Sequence, residues 1–206
     1  MSEPTAIAST VELLVPGIFH WTVEDDRIAF RSDAYALATT AGTVLIDPLP
    51  VAAKALDRLG RIEAICLSVQ SHQRSSWKLR RQLGVRVYAP RAAEGLEESP
   101  DHWYSEGDPL PGGLRAIHAP GPCEASYVFY SRETSVLFLG DLLIREPRGR
   151  FRFVSDEYMD DPPAARASVE KILALSDLSY DVLCSAHGNP LKGGTVDAIR
   201  RAIPRR

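Results

Sequence analysis

An α+β fold, a four-layer αββα sandwich of two mixed β-sheets packed face to face with helices outside, is predicted from the order of elements along the chain. A strand-rich stretch, helices, a second strand-rich stretch and further helices follow one another. Sheets with apolar faces bury them against each other and against helices. The bulk agrees: 206 residues with 45% apolar content can build a sizeable core within one domain spanning 1–206. No repeat, low-complexity tract or linker divides the sequence.

The elements follow from periodicity and punctuation. "VELLV", "GIFHWTV" and "RIAFR" read as short strands of a meander, and "YALATT" and "TVLID" as a hairpin turning at Ala41-Gly42. "PVAAKALDRLG" spaces its apolar residues three and four apart and stops at Gly60, as a helix does. Strand "EAICLS", the polar turn "SVQSHQRSS", helix "SWKLRRQLG" and strand "VRVYAP" come next. "GLRAIHA", "SYVFYS" and "SVLFLGD" form the second set of strands. They are followed by the proline-opened helix "PPAARASVEKILAL", the strand "YDVLCSAHG" and the helix "GTVDAIRRAI".

Charge excludes several function classes. A net charge of −3, with only Lys78, Arg80 and Arg81 clustered, predicts neither a nucleic acid nor a membrane as partner. The amino-terminal segment is acidic without a long apolar run, so it reads as no secretory signal, and nothing approaches a membrane span. Cys66, Cys123 and Cys184 are scattered without a C-x-x-C pair, which fits a reducing cytoplasm.

Chemistry is expected at three strand ends: "LSVQSHQRSS", "FLGDLL" with Asp141, and "LCSAHGNP" with His187. The turn "HAPGPCEAS" lies between the first two. Such turns converging on one rim of a sandwich would form a cleft for a small molecule or a metal. Singly, each has a plainer reading, as a turn acceptor, a helix cap or a turn signal.

Taken together, these segments resemble the metallo-β-lactamase fold superfamily of hydrolases, over roughly residues 17–200. "YALATTAGTVLIDPLP" is similar to the family's early hairpin, ending in Asp47. "AICLSVQSHQRSSWKLRRQLGVRVYAP" falls where the family carries its H-x-H-x-D-H metal turn. "HAPGPCEASYVFY" resembles the segment with the third metal histidine, "VLFLGDLL" the strand with the bridging aspartate, and "VLCSAHGNP" the turn with the last histidine. The departures are extensive. Val69, Ser71, Gln73 and Arg74 stand at the ligand places of the metal turn, and Pro122 stands at the third histidine. His72 falls on a spacer and is expected to point away from the site. Only Asp141 and His187 match the family's ligands.

The resemblance therefore implies a degenerate site from which most metal ligands are gone. One aspartate and one histidine do not hold two divalent ions. The expectation is a metal-free, non-catalytic member with no cofactor and with unassigned catalytic residues. Ser71, Gln73, Arg74, Asp141 and His187 form its vestigial site. A buried carboxylate without a metal needs a cation, so Arg74 is expected to pair with Asp141, with His187 and Gln73 or Ser71 completing the network. The alternative is a hydrolase of ester, thioester, lactone or phosphoester substrates. It would use one zinc, iron or manganese ion on Asp141, His187 and Cys123, or a metal-free Ser71–His187–Asp141 set. His20 and His102 are given no role. "IREPRGRFRFVSDEYMDDPPA" reads as a flap or a self-association surface through Phe151, Phe153, Tyr158 and Met159, consistent with a homodimer.

Overall fold

The computed structural model describes residues 3–147 and 149–203. Seven strands form the first sheet in sequence order: β1 (Glu12–Val15), β2 (Ile18–Asp25), β3 (Phe30–Ala38), β4 (Thr43–Ile46), β5 (Ile62–Cys66), β6 (Arg86–Pro90) and β7 (His102–Tyr104). Pairing is antiparallel from β1 to β4 and parallel from β4 to β7. Parallel neighbours need crossovers. The first is α1 (Ala53–Leu56), extended by a 3₁₀ turn at Asp57–Leu59, and the second is α2 (Ser76–Leu83).

In the second sheet β8 (Arg115–His118), β9 (Tyr127–Ser131) and β10 (Val136–Gly140) are antiparallel. A two-stranded ribbon of β11 (Ile144–Arg145) and β12 (Phe151–Arg152) follows, then the crossover helix α3 (Pro162–Ala174). Strand β13 (Val182–Ser185) pairs parallel with β10, β14 (Leu191–Lys192) closes that edge, and α4 (Thr195–Ala202) ends the described chain.

Side-chain alternation builds the four layers. Tyr35, Leu37, Val44, Ile46 and Cys66 face Phe129, Phe138, Val182 and Cys184 across the space between the sheets. Their neighbours Ala34, Ala36, Leu45 and Ile65 turn outward, into a cluster with Ala55, Trp77 and Leu79 of the first helix pair. On the other sheet Val128, Tyr130, Leu137 and Leu183 turn outward, against Ala165, Val169, Ile172 and Ile199 of α3 and α4. Strands covered on both faces are apolar throughout, which is why "TVLI", "VLFLG" and "VLCS" show no polar alternation. Each large side chain buried this way contributes on the order of 1.5–3 kcal/mol.

The αββα architecture matches the expectation, and several elements differ in detail. "RIAFR" and "YALATT" are not separate strands: Phe30–Ala38 runs unbroken along β2. Polar Ser32 and Asp33 break the apolar pattern there because both are buried with partners of their own. Strands β7, β11, β12 and β14 are two or three residues long and give no period to read. Three of the four apolar residues expected at a surface after Asp141 serve the chain's own core. Phe151 and Met159 are buried and Phe153 packs against them, while Tyr158 stays exposed.

The turn between β8 and β9 shows how closely the layers fit. Gly121 has φ +140°, and a Cβ there would lie 2.4 Å from the Cα and Cβ of Ala165 in α3. Its carbonyl accepts from the backbone N–H of Asp161, whose side chain caps α3 through Ala164. Gly121→Ala combines a strained backbone with an overpacked contact, so it should destabilise the fold by about 3 kcal/mol, read as a lower urea midpoint with unchanged slope.

Candidate metal centre

Strands β4, β5, β10 and β13 send Asp47, the turn after Cys66, Asp141 and His187 to one rim of the sandwich. Asp47 has φ +48°, a conformation in which short polar side chains bond locally. Its carboxylate accepts the Ser68 backbone N–H at 2.7 Å and the Ser68 hydroxyl. The strand end thus fixes the start of the following turn.

That turn corrects the sequence reading of His72. The register of the resembled motif puts His72 on a spacer that points away. Gln70–His72 is instead one 3₁₀ turn, closed by the His72 N–H donating to the Val69 carbonyl at 3.1 Å. Within this tight turn His72 is turned inward and buried, while Ser71 is exposed. His72 Nδ1 donates to Asp47 Oδ2 at 3.0 Å, and its Nε2 lies 3.0 Å from Asp141 Oδ2. His187 approaches the other oxygen, Nε2 to Oδ1 at 3.3 Å, and its Nδ1 donates to the Arg31 carbonyl at 2.8 Å.

His72, Asp141 and His187 therefore converge, with one donor atom from each lying within 4.8 Å of the others. Among the described residues no other group of metal-ligating side chains does so. Cys123, expected as the third donor, is outside it: its thiol contacts the Ser126 hydroxyl beside Val69 and Ala125. Burial pushes that thiol up. Gln73 is a fastener for the adjoining loop. Its amide donates to Gly95 O, and its oxygen accepts from Trp77 Nε1 and Glu97 N.

Arg74 is buried at φ +40°, and its Nη1 donates to the carbonyl oxygens of Asp33 at 2.9 Å and Asp47 at 3.1 Å. Burial lowers its pKa, while the charges of Asp47 and then Asp141 act the other way. The group set directly on Asp141 Oδ2 is the imidazole of His72. His118 bonds the Glu124 carbonyl, and His102 stacks on Tyr88. His20, which the sequence placed far from the rim, reaches it indirectly. It bonds Asp33, whose other oxygen accepts the Gly188 N–H beside His187.

The donor chemistry fits a divalent ion. A carbonyl only accepts, so His187 Nδ1 carries a proton and its Nε2 is the atom that faces Asp141. Asp141 Oδ1 is buried without a hydrogen-bond partner. That nitrogen and the carboxylate oxygen lie 3.3 Å apart, a pair that a shared proton or a metal would hold together. Histidine ligands usually donate their outer N–H to a carboxylate or a carbonyl, as both do here, and three protein ligands is the number common to catalytic zinc sites.

Without an ion, His72 carries the balancing charge. Burial and Arg74 disfavour its protonation, but Asp141 and Asp47 outweigh them and hold the imidazole above its ordinary value. Burial works to raise Asp141, and His72 and His187 overcome it, holding that carboxyl well below the usual range. The raised His72 therefore stabilises the metal-free fold fully below about pH 6.5 and loses that contribution as pH rises through its folded value. Asp141 contributes fully above about pH 4 and loses that contribution as pH falls through its depressed value. In chelator, urea stability should decline on the alkaline side. His72→Leu should cost about 3 kcal/mol near pH 6 and abolish that decline.

The chain can now be placed among known proteins. The sequence model described as the metallo-beta-lactamase superfamily matches residues 11–189. No curated protein sequence matches the chain. Among solved structures, TTHA1623 in a di-iron-bound form is 26% identical at TM-score 0.66, covering 85% of this chain and 95% of that one. The BLEG-1 B3 metallo-beta-lactamase is 22% identical at TM-score 0.65, covering 90% and 98%. A metallo-beta-lactamase from Hirschia baltica is 16% identical at TM-score 0.71, covering 98% and 100%. With the matched region spanning nearly all of the sandwich and its rim, the chain belongs to the metallo-beta-lactamase superfamily.

Proposed function

We propose that the chain is a hydrolase of ester, thioester, lactone or phosphoester substrates that works with one divalent ion, zinc, iron or manganese, held by His72, His187 and Asp141. One observation carries the reading. Both histidines commit Nδ1 to an outer acceptor and turn Nε2 toward the same carboxylate, one of whose oxygens is buried without a hydrogen bond. An ion in this place supplies Lewis acidity toward a carbonyl or phosphoryl oxygen.

The protein's part is orientation and charge. Asp47 fixes the tautomer and plane of His72, and the Arg31 carbonyl does the same for His187. The Phe30 ring lies 5.9 Å from that of His187, tilted against it. Arg74 adds a permanent positive charge, which opposes a second divalent ion and so supports a one-metal site. The metal-free Ser71 alternative gains nothing from the fold, because Ser71 is exposed on the outer side of its turn.

A second reading has its own observation. The imidazolium of His72 bridges Asp47 and Asp141 Oδ2, so the cluster has a balancing charge without any metal. That favours a non-catalytic member that binds a ligand at the rim. Elemental analysis of protein purified without chelator separates the two. The hydrolase reading expects about one equivalent of metal, lost in His187→Ala and Asp141→Asn, and hydrolysis of some member of an ester, thioester, lactone and phosphoester panel. Protein that stays metal-free when titrated with zinc, iron(II) and manganese rejects it.

A further inference from the structure

We infer that Asp33 is a positioning residue that sets the spacing between the His72 and His187 turns. The inference rests on the metal-centre reading for its consequence, and on the geometry of Asp33 for its substance. Asp33 is fully buried within β3 and belongs to neither turn, yet it bonds both. Its backbone N–H donates to Ala186 O at 2.8 Å, and its Oδ2 accepts the Gly188 N–H at 2.8 Å. These bonds grip the residues on either side of His187. On the other side the Asp33 carbonyl accepts Arg74 Nη1 at 2.9 Å, two residues beyond His72.

The carboxylate is itself immobilised. His20 Nε2 donates to Oδ1 at 2.6 Å, and Arg31 adds Nη2 at 2.6 Å and Nε at 3.1 Å. His20 stacks on Tyr35, whose hydroxyl donates to Ser185 O, so the support also ends on β13. The Arg31 side chain holds Asp33 while the Arg31 carbonyl holds His187 Nδ1. The seat of the turn is single. Gly188 has φ +107°, and a Cβ there would lie 2.1 Å from the Arg145 carbonyl oxygen. No side chain fits there, and the glycine amide that results is held by Asp33 Oδ2. A neutral acceptor could take one N–H. Only a full charge meets that N–H together with a guanidinium and an imidazole, at short distances.

Asp33→Asn keeps the shape, removes the charge and sets an amide donor against Arg31 or His20. In metal-free protein it should speed hydrogen exchange of the Gly188 amide at least tenfold and shift the His187 ring resonances, both read by NMR. In metal-loaded protein it should weaken cobalt(II) affinity 10–100-fold and change the cobalt absorption spectrum. His20→Phe, which keeps the stack on Tyr35 but removes one bond to Asp33, should give smaller changes in the same direction and serves if Asp33→Asn does not fold. Unchanged Gly188 exchange and unchanged His187 resonances in the folded variants would overturn the inference. So would a lower melting temperature with cobalt affinity and spectrum intact, which marks a structural role alone. Wild-type protein that binds no cobalt defeats the one-metal reading instead, and the metal-free NMR result still decides the role of Asp33.

Discussion

Positive charge has to accompany every carboxylate that this sandwich withdraws from water. Asp33, Asp47 and Asp141 all sit at or behind one rim, and Asp33 and Asp47 are almost wholly inaccessible. An isolated buried carboxylate would cost more than a small domain can supply. Arg31 and Arg74 provide permanent cations, so three carboxylates face two guanidiniums. The remaining negative charge falls to His72, as a proton or as a metal ligand. That single deficit explains why the imidazole lies between Asp47 and Asp141, with a nitrogen for each.

The fold makes this concentration of charge affordable by keeping it out of the packing. Three apolar clusters fill the layers between and outside the sheets. The ionisable residues occupy strand ends and the adjoining β2–β3 ladder. Stability and chemistry are therefore separable, and a chain can change ligands at its rim without losing its sandwich.

The layers were legible in the sequence because two-sided burial leaves continuous apolar runs, and the crossover helices carry glycine stops at Gly60 and Gly84. Asp141 and His187 were legible as polar residues directly following such runs. His72 was not. The family's register puts Val69, Ser71, Gln73 and Arg74 at the ligand places and His72 on a spacer, whereas the 3₁₀ turn at Gln70–His72 buries His72 and exposes Ser71. The sequence carries no mark of that turn, which depends on Asp47 holding Ser68 from another strand. His20 was hidden for a similar reason. It pairs with Tyr35 in the β2–β3 ladder, and Asp33 pairs with Thr22, so His20 and Asp33 meet diagonally on one face.

The turn after β5 divides into two kinds of residue. Gln73 fastens a loop and Ser71 faces solvent, roles in which many side chains would serve. His72 and Arg74 are buried and charged, a combination that packing alone does not favour. A core indifferent to chemistry would replace such groups with apolar ones of similar volume and gain stability. Holding them beside a buried Asp141 oxygen without a hydrogen bond costs free energy unless a proton or an ion lies between the groups.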